Sequence, residues 1–401
     1  MANNFSASFI EVWAKEMETV FYKVNVALKV ADMSFNGQLS KGDILNRVYR
    51  STNAPQVYVR GTDITIDDKT DTGEQLVVNA QYANGFYVDD FDQIQDNYNI
   101  AMTYGKDNGE FLSNQIDADV LGEVLNANST IDATLIGGTA GNGLILSTSN
   151  VIKVLGAAKR ALKRQNVQSN DLIATISPEF EDILTQYVES KFTVLGDKVG
   201  ENGYIGMYMG INLYVSNNLT GSASLSLATQ PTASDTVTIA GQVFTFVSPI
   251  GTTPGNVLIG ANVDVTRASL ATLVNAPSTT TATGVALTGN NLRVFQNGIT
   301  AVNDNAADTL VVTQKGAGVI EVSEVLTDAT DTWTAAKEIQ YNMVAVRGNP
   351  VVVVQRSPTV QMKEEPKKLG KNVLNGVLYG YKTFQDNAKQ MVNIKIASST
   401  F

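Results

Sequence analysis

Residues 44–83 carry two β-rich runs, VYRSTNAPQVYVRGTDITIDD and EQLVVNAQY, on either side of KTDTG. Asp71 and Gly73 in the connector are turn formers, which predicts a long two-stranded excursion with its tip near Lys69–Gly73. An isolated hairpin is marginal in water, because two strands cannot cover their own apolar faces. A ribbon this long therefore needs something outside itself to complete it. Its charges come in blocks, with Arg47, Arg50 and Arg60 on one part, Asp63, Asp67 and Asp68 on another, and Lys69 near the predicted tip. Blocks of opposite sign suit ionic registration against a neighbouring subunit; a solvated charged edge is the plainer alternative.

Composition narrows the chemistry. The 401-residue chain has no Cys and no His. That excludes disulfides, thiol nucleophiles, a Ser-His-Asp triad and the usual zinc ligand sets. Only 17% of residues are charged, the net charge is −10, and turn and β formers abound, as in a soluble β-rich protein. The acidic balance argues against wrapping nucleic-acid phosphates with the whole surface. No apolar run is long enough to span a bilayer, and the amino end lacks the basic-then-apolar pattern of a secretory signal.

Residues 5–24 place Phe5, Phe9, Trp13, Met17, Phe21 and Val24 at helical spacing, with charges of both signs off the stripe. The mixed polar face favours docking on protein over lying on a membrane surface. Further on, VDDFDQIQDNYN opens a second periodic stretch, Phe91, Ile94, Tyr98, Met102, Leu112, Ile116, Val120 and Val124, interrupted by Gly105 and Gly109. This predicts a helix of about 30 residues. Asp89, Asp90 and Asp92 then fall at its start, where the helix dipole favours negative charge. A calcium loop is the rival reading, but Ile94 and Gln95 stand where an oxygen ligand and a glycine are needed.

LIGGTAGNGLIL lacks the Lys-Ser/Thr ending of a phosphate loop and reads as a connector. Residues 149–165 form a predicted helix that turns basic toward its C-terminal end. DLIATI is a strand, and SPEF starts another helix with Ser177 as cap and Pro178 in the first helical position. From about residue 220 charges thin out and threonine rises. DTVTIAGQVFTFV, GVALTGNNLRVFQ and DTLVVTQKGAGVIEVSEV read as strand–turn–strand units, with DVTRASLATLVNA as a short helix among them. The expected result is a β-rich module inserted into another domain.

The ordered set of VDDFDQIQ, DLIATISPEF, GINLYVSNNL and VLYGYKTFQDNAKQMVNIKI, after an arm and a charged hairpin, resembles the major capsid proteins of tailed bacteriophages. The resemblance covers about 1–220 and 341–401. It implies an α+β, Hong Kong 97-type fold: N-arm (1–44), E-loop (45–88), spine helix and peripheral domain (89–125), axial domain (126–220 and 341–378), and a return strand to the peripheral domain (379–401). The mostly-β segment 221–340 would be an insertion.

The implied function is a coat subunit, not an enzyme, that needs no cofactor or metal. It would self-assemble as hexamers and pentamers into an icosahedral shell enclosing double-stranded DNA without reading its sequence. It would be made in the host cytoplasm and act in the virion, with scaffolding, portal and decoration proteins as further partners. Because the chain begins almost at the arm, scaffolding would be a separate protein or unneeded. Some members of the fold crosslink an E-loop lysine to a neighbour's asparagine; Lys69 has no matching set here, so non-covalent contacts are expected. Alternatives are a tail tube, sheath or nanocompartment subunit, a surface adhesin, or a hydrolase using carboxylates alone.

Overall fold

The computed structural model describes residues 25–37, 42–50, 54–66, 68–89, 100–167, 171–191, 206–364 and 369–398. The arm residues Phe5, Phe9, Trp13, Met17 and Phe21 lie outside this set, as do Asp67, Asp90 and Asp92.

From the amino end come one helical turn, α1 (Ala27–Val30), and strands β1 (Ile44–Arg50), β2 (Asp71–Val77) and β3 (Ala80–Asp89). Helix α2 (Ile100–Gly122) follows, then β4 (Ser129–Ile131), α3 (Val151–Arg164), β5 (Leu172–Ile176) and α4 (Pro178–Glu189). Next are β6 (Met207–Tyr208), β7 (Ile211–Val215), β8 (Thr220–Ser226), β9 (Thr236–Ile239), β10 (Gln242–Val247) and β11 (Asn256–Leu258). Helices α5 (Val263–Asn275) and α6 (Gly289–Gln296) precede β12 (Ile299–Asp304), β13 (Thr309–Gln314) and β14 (Val322–Val325). The chain ends with β15 (Ile339–Val346), β16 (Val351–Glu364), β17 (Gly370–Lys382), α7 (Gln385–Lys389) and β18 (Met391–Ala397).

Two compact units share this chain. The smaller takes in 80–113 and 356–378, where β16, β17 and β3 pair in that order. Val88 and Val373 form its buried centre with Phe86, whose ring meets Tyr104 of α2 edge-on at 5.9 Å. The Asn375 amide donates to the Gly105 carbonyl at 2.7 Å. Gly105 and Gly109 thus sit inside one continuous helix, and Gly105 lies buried at this contact. Asp89, expected at the helix start, is instead the last residue of β3.

The larger unit takes in 23–79, 114–355 and 379–401. Its main sheet runs β12-β13-β8-β15-β5-β7-β6, with β18 on the other side of β15 and β4 beyond it. Strand β15 uses both its edges. One pairs with β18 from Ile339↔Ala397 to Ala345↔Met391; the other takes β8 at Ile339–Tyr341 and β5 at Met343–Val346. The strand is buried from Ile339 to Ala345, the polar Gln340 and Asn342 included.

Two cores flank this sheet. In the first, α3 buries Val154, Leu155, Ala158 and Leu162, and α4 buries Phe180, Leu184 and Val188. The Ser177 hydroxyl accepts from the Phe180 N–H at 3.2 Å and Pro178 opens α4, as the sequence predicts. Glycines in the predicted connector serve close approach: a Cβ on Gly143 would lie 2.6 Å from the Ala397 backbone.

The second core belongs to 220–340: Leu225, Phe244, Phe246, Leu270, Phe295 and Trp333 cluster between the β8–β13–β12 end of the main sheet and a four-stranded sheet, β11-β10-β9-β14. This segment therefore has a core of its own but shares a sheet, through β8 and β15, with the rest of the larger unit. GVALTGNNLRVFQ holds helix α6 where a strand pair is predicted; Leu292 and Phe295 of α6, one turn apart, face this core. The last strand also departs from expectation. β18 does not return to the smaller unit; its nearly all-buried residues fill the slot between β15 and β4, while β17 reaches the three-stranded sheet.

Arg267 on α5 has a fully buried side chain, donating to the Leu227 carbonyl, to Asp264, to Asp308 at 3.1 Å and to Asn303 at 3.2 Å. Removing the guanidinium leaves a buried carbonyl unpaired. Arg267→Met is expected to lower stability by about 2 kcal/mol in denaturant titration, and Arg267→Lys not to restore it, because an ammonium cannot fill the planar fork.

Candidate assembly interface

Strands β1 and β2 pair antiparallel from Ile44↔Val77 to Arg50↔Asp71. Asp71 and Gly73 are therefore strand residues, and the tip lies elsewhere. Beyond the paired part the chain runs on as an irregular loop, held by the Gln56 side chain, which donates to the Thr65 carbonyl at 2.8 Å and accepts from its N–H at 3.2 Å. The chain reverses at Val59–Thr62, where the Thr62 N–H and hydroxyl both donate to the Val59 carbonyl and Gly61 has φ +85°. The turn formers Asp71 and Gly73 hid this, because pairing with β1 overrides their local preference.

The loop carries its apolar side chains into water. Val57 is 94% exposed, Ile66 91%, and Tyr58, Val59 and Ile64 about 60%. Arg60, Asp63, Asp68 and Lys69 are exposed beside them, with no ion pair among the described residues.

The base is tied to the carboxyl-terminal segment of the same unit. Arg47 pairs with Asp386, donates to the Asn387 side chain at 3.0 Å and lies over the Phe384 ring at 5.1 Å. The guanidinium of Arg47, expected at a neighbouring subunit, has these partners within its own chain. Arg50 stands opposite Asp71 in the ladder. The Tyr49 hydroxyl donates to Glu74 at 2.9 Å; burial, then this bond and the Asp386 charge, push its phenol well above the usual tyrosine range. Lys382 donates to the Gln75 carbonyl at 2.9 Å, and the Gln385 N–H donates to Glu74 at 3.1 Å.

Sequence reasoning missed two aspartates in the buried run IDADVL of α2. Asp117 accepts from the Val26 and Ala27 N–H groups at 2.7 and 2.5 Å and from the Asn218 amide at 3.0 Å. Burial pushes its carboxyl up, and these donors pull it back only in part. Asp119 accepts from the Tyr379 hydroxyl at 2.6 Å and from Lys315 at 3.1 Å; Lys315 also donates to Tyr381 at 2.9 Å. The available signal was a pair of charges in an otherwise apolar stretch.

The sequence profile of the phage capsid protein family matches residues 73–267. Over those residues the chain is similar to phage capsid proteins. Its fold is similar to that of a solved Mycobacterium phage Che8 chain, at 15% identity and TM-score 0.55, with 98% of each chain covered. It is similar also to the capsid of cyanophage P-SCSP1u (11% identity, TM-score 0.54, 99% of this chain and 95% of that one) and to the capsid of cyanophage Pam1 (11%, 0.52, 98% of each). No curated protein sequence matches it. The fold is α+β, of the Hong Kong 97 type. Among the described residues no group of acidic side chains could hold a metal ion, and no helix is long and apolar enough to cross a membrane.

Lys315 joins the 220–340 segment to α2. Its burial lowers its pKa, but the Asp119 charge and Tyr381 outweigh this, so the net shift is upward. A raised lysine stabilises the fold fully below its unfolded pKa and loses that stabilisation as pH climbs through the folded one. Lys315→Met, which leaves Asp119 buried without its cation, is expected to cost about 3 kcal/mol in denaturant titration at neutral pH. The difference from the parent protein should shrink above the ordinary lysine range; a difference unchanged at strongly alkaline pH would contradict the pairing.

Proposed function

We propose that this chain is a phage capsid protein and builds a closed icosahedral shell of hexamers and pentamers around double-stranded phage DNA, by non-covalent contacts and without catalysis. The observation that carries this reading is the loop at 54–66, which holds Val57, Tyr58, Val59, Ile64 and Ile66 in solvent. Covering a side chain of this kind contributes roughly 1.5–3 kcal/mol. One subunit offers several, so contacts that are weak singly become strong when repeated through a shell. The ionic blocks around the loop (Arg60, Asp63, Asp67, Asp68, Lys69, with Arg50 nearer the base) set register more than affinity.

In this reading 1–44 is an arm whose Phe5, Phe9, Trp13, Met17 and Phe21 dock on a neighbour, and 45–88 is the E-loop. Residues 89–125 belong to the spine, with Asp90 and Asp92 near its start; 126–220 belong to the axial domain, and 221–340 are an insertion within it. The subunit is made in the host cytoplasm, and scaffolding, portal and decoration proteins join it as separate chains. The net charge of −10 suits a container that encloses DNA without gripping its sequence.

Val57→Asp combined with Ile66→Asp tests this. The expected result is a protein with parental circular dichroism and thermal transition that sediments as small species, while the parent forms shells visible by electron microscopy. Shells of parental yield from the variant would refute the proposed role of the loop. Tubes in place of shells from the parent would point to a tail protein.

A further inference from the structure

Helix α3 carries Lys153, Lys159, Arg160, Lys163 and Arg164 and no acidic residue. Helix α4, packed into the same core, carries Glu179, Glu181, Asp182 and Glu189 and no basic residue. Neither helix makes an ion pair among the described residues, with each other or with anything else. Lys159 donates to the Met209 carbonyl at 2.7 Å, and Asp182 accepts from Gln186 at 2.8 Å. The α3 cations stand opposite its buried stripe of Val154, Leu155, Ala158 and Leu162, beside an open groove of about 360 Å³ lined by Gly156, Lys159, Lys163 and Met209 among others.

Helix electrostatics accounts for part of this pattern. Cations favour a helix C-terminus and carboxylates an N-terminus, within the terminal turn. That covers Lys163, Arg164, Glu179 and Glu181. It does not cover Lys159, Arg160 or Asp182. Lys153 stands in the first turn of α3 and Glu189 is the last residue of α4, each at the end the dipole disfavours. Two faces of single and opposite sign, without an ion pair among the described residues and partly opposed to their own dipoles, are complementary to each other.

We infer that the basic face of α3 in one subunit meets the acidic face of α4 in the next copy around a ring. The contact is heterologous, α3 to α4, so every copy gives one face and receives the other, and the ring closes. Ionic contacts of this kind tolerate small changes of angle, which suits rings of both six and five copies. Nucleic acid is the other polyanion that α3 could meet. The neighbouring α4 carboxylates and the net charge of −10 oppose it.

The inference rests on the shell reading and is tested by charge reversal in the full chain. Arg160→Glu with Arg164→Glu reverses α3; Asp182→Lys with Glu189→Lys reverses α4. Either pair alone is expected to raise the protein concentration needed for assembly by roughly tenfold or more at low salt, with circular dichroism unchanged, and all four together to restore it. Assembly that is insensitive to each reversal, or a folded fourfold variant without rescue, overturns the inference. So does an α3 reversal that leaves shell yield intact and lowers only DNA content, since that identifies DNA as the partner. A parent protein that forms no shell at all overturns the shell reading on which the inference stands, and is told apart by that control.

Discussion

Apolar side chains held in water by a backbone that cannot fold back over them set the terms for this molecule. Val57 and Ile66 sit on a narrow excursion whose two sides meet through Gln56 and Thr65. A loop of this shape has no interior. Its apolar residues lose free energy in solution and regain it only where another surface arrives.

The rest of the larger unit makes that exposure bearable by fixing where the excursion starts. Arg47, Tyr49 and Glu74 bind the base to Phe384–Asn387, a segment leading directly into β18. β18 in turn lies against β15, the strand that also joins β5 to β8. The ribbon's root is thus connected by continuous hydrogen bonding to the main sheet. Asp119 and Lys315 add a second tie between α2 and the 220–340 segment, and Asp117 holds the chain at Val26–Ala27. A rooted projection reaches a partner at lower entropic cost than a free loop, because fewer dihedrals remain to be ordered on contact.

What was legible in the sequence was local. The Ser177 cap with Pro178, the apolar stripe of α3, and the run LIATI each follow from residues within one or two turns of each other, and each formed as expected. The turn chemistry at Asp71–Gly73 misled, because strand pairing with β1 overrode a local preference. Leu292 and Val294 alternate as in a strand while Leu292 and Phe295 share a helix face, and packing against the second core chose the helix. The destination of β18 depended on which slot was left between β15 and β4, and no local pattern encodes that. The ionic partners of Arg47, Asp119 and Arg267 lie close in space and, for the most part, far along the chain. The only trace they leave in the sequence is a charge where the periodicity asks for an apolar residue.

Backbone hydrogen exchange across residues 54–66, compared between dissociated subunits and assembled shells, tests the central claim most directly. Slow exchange in the shell and fast exchange in the subunit, with β1 and β2 protected in both, is the predicted result. Equal protection of 54–66 in the lone subunit would mean that its own chain covers the loop, and the account would be wrong.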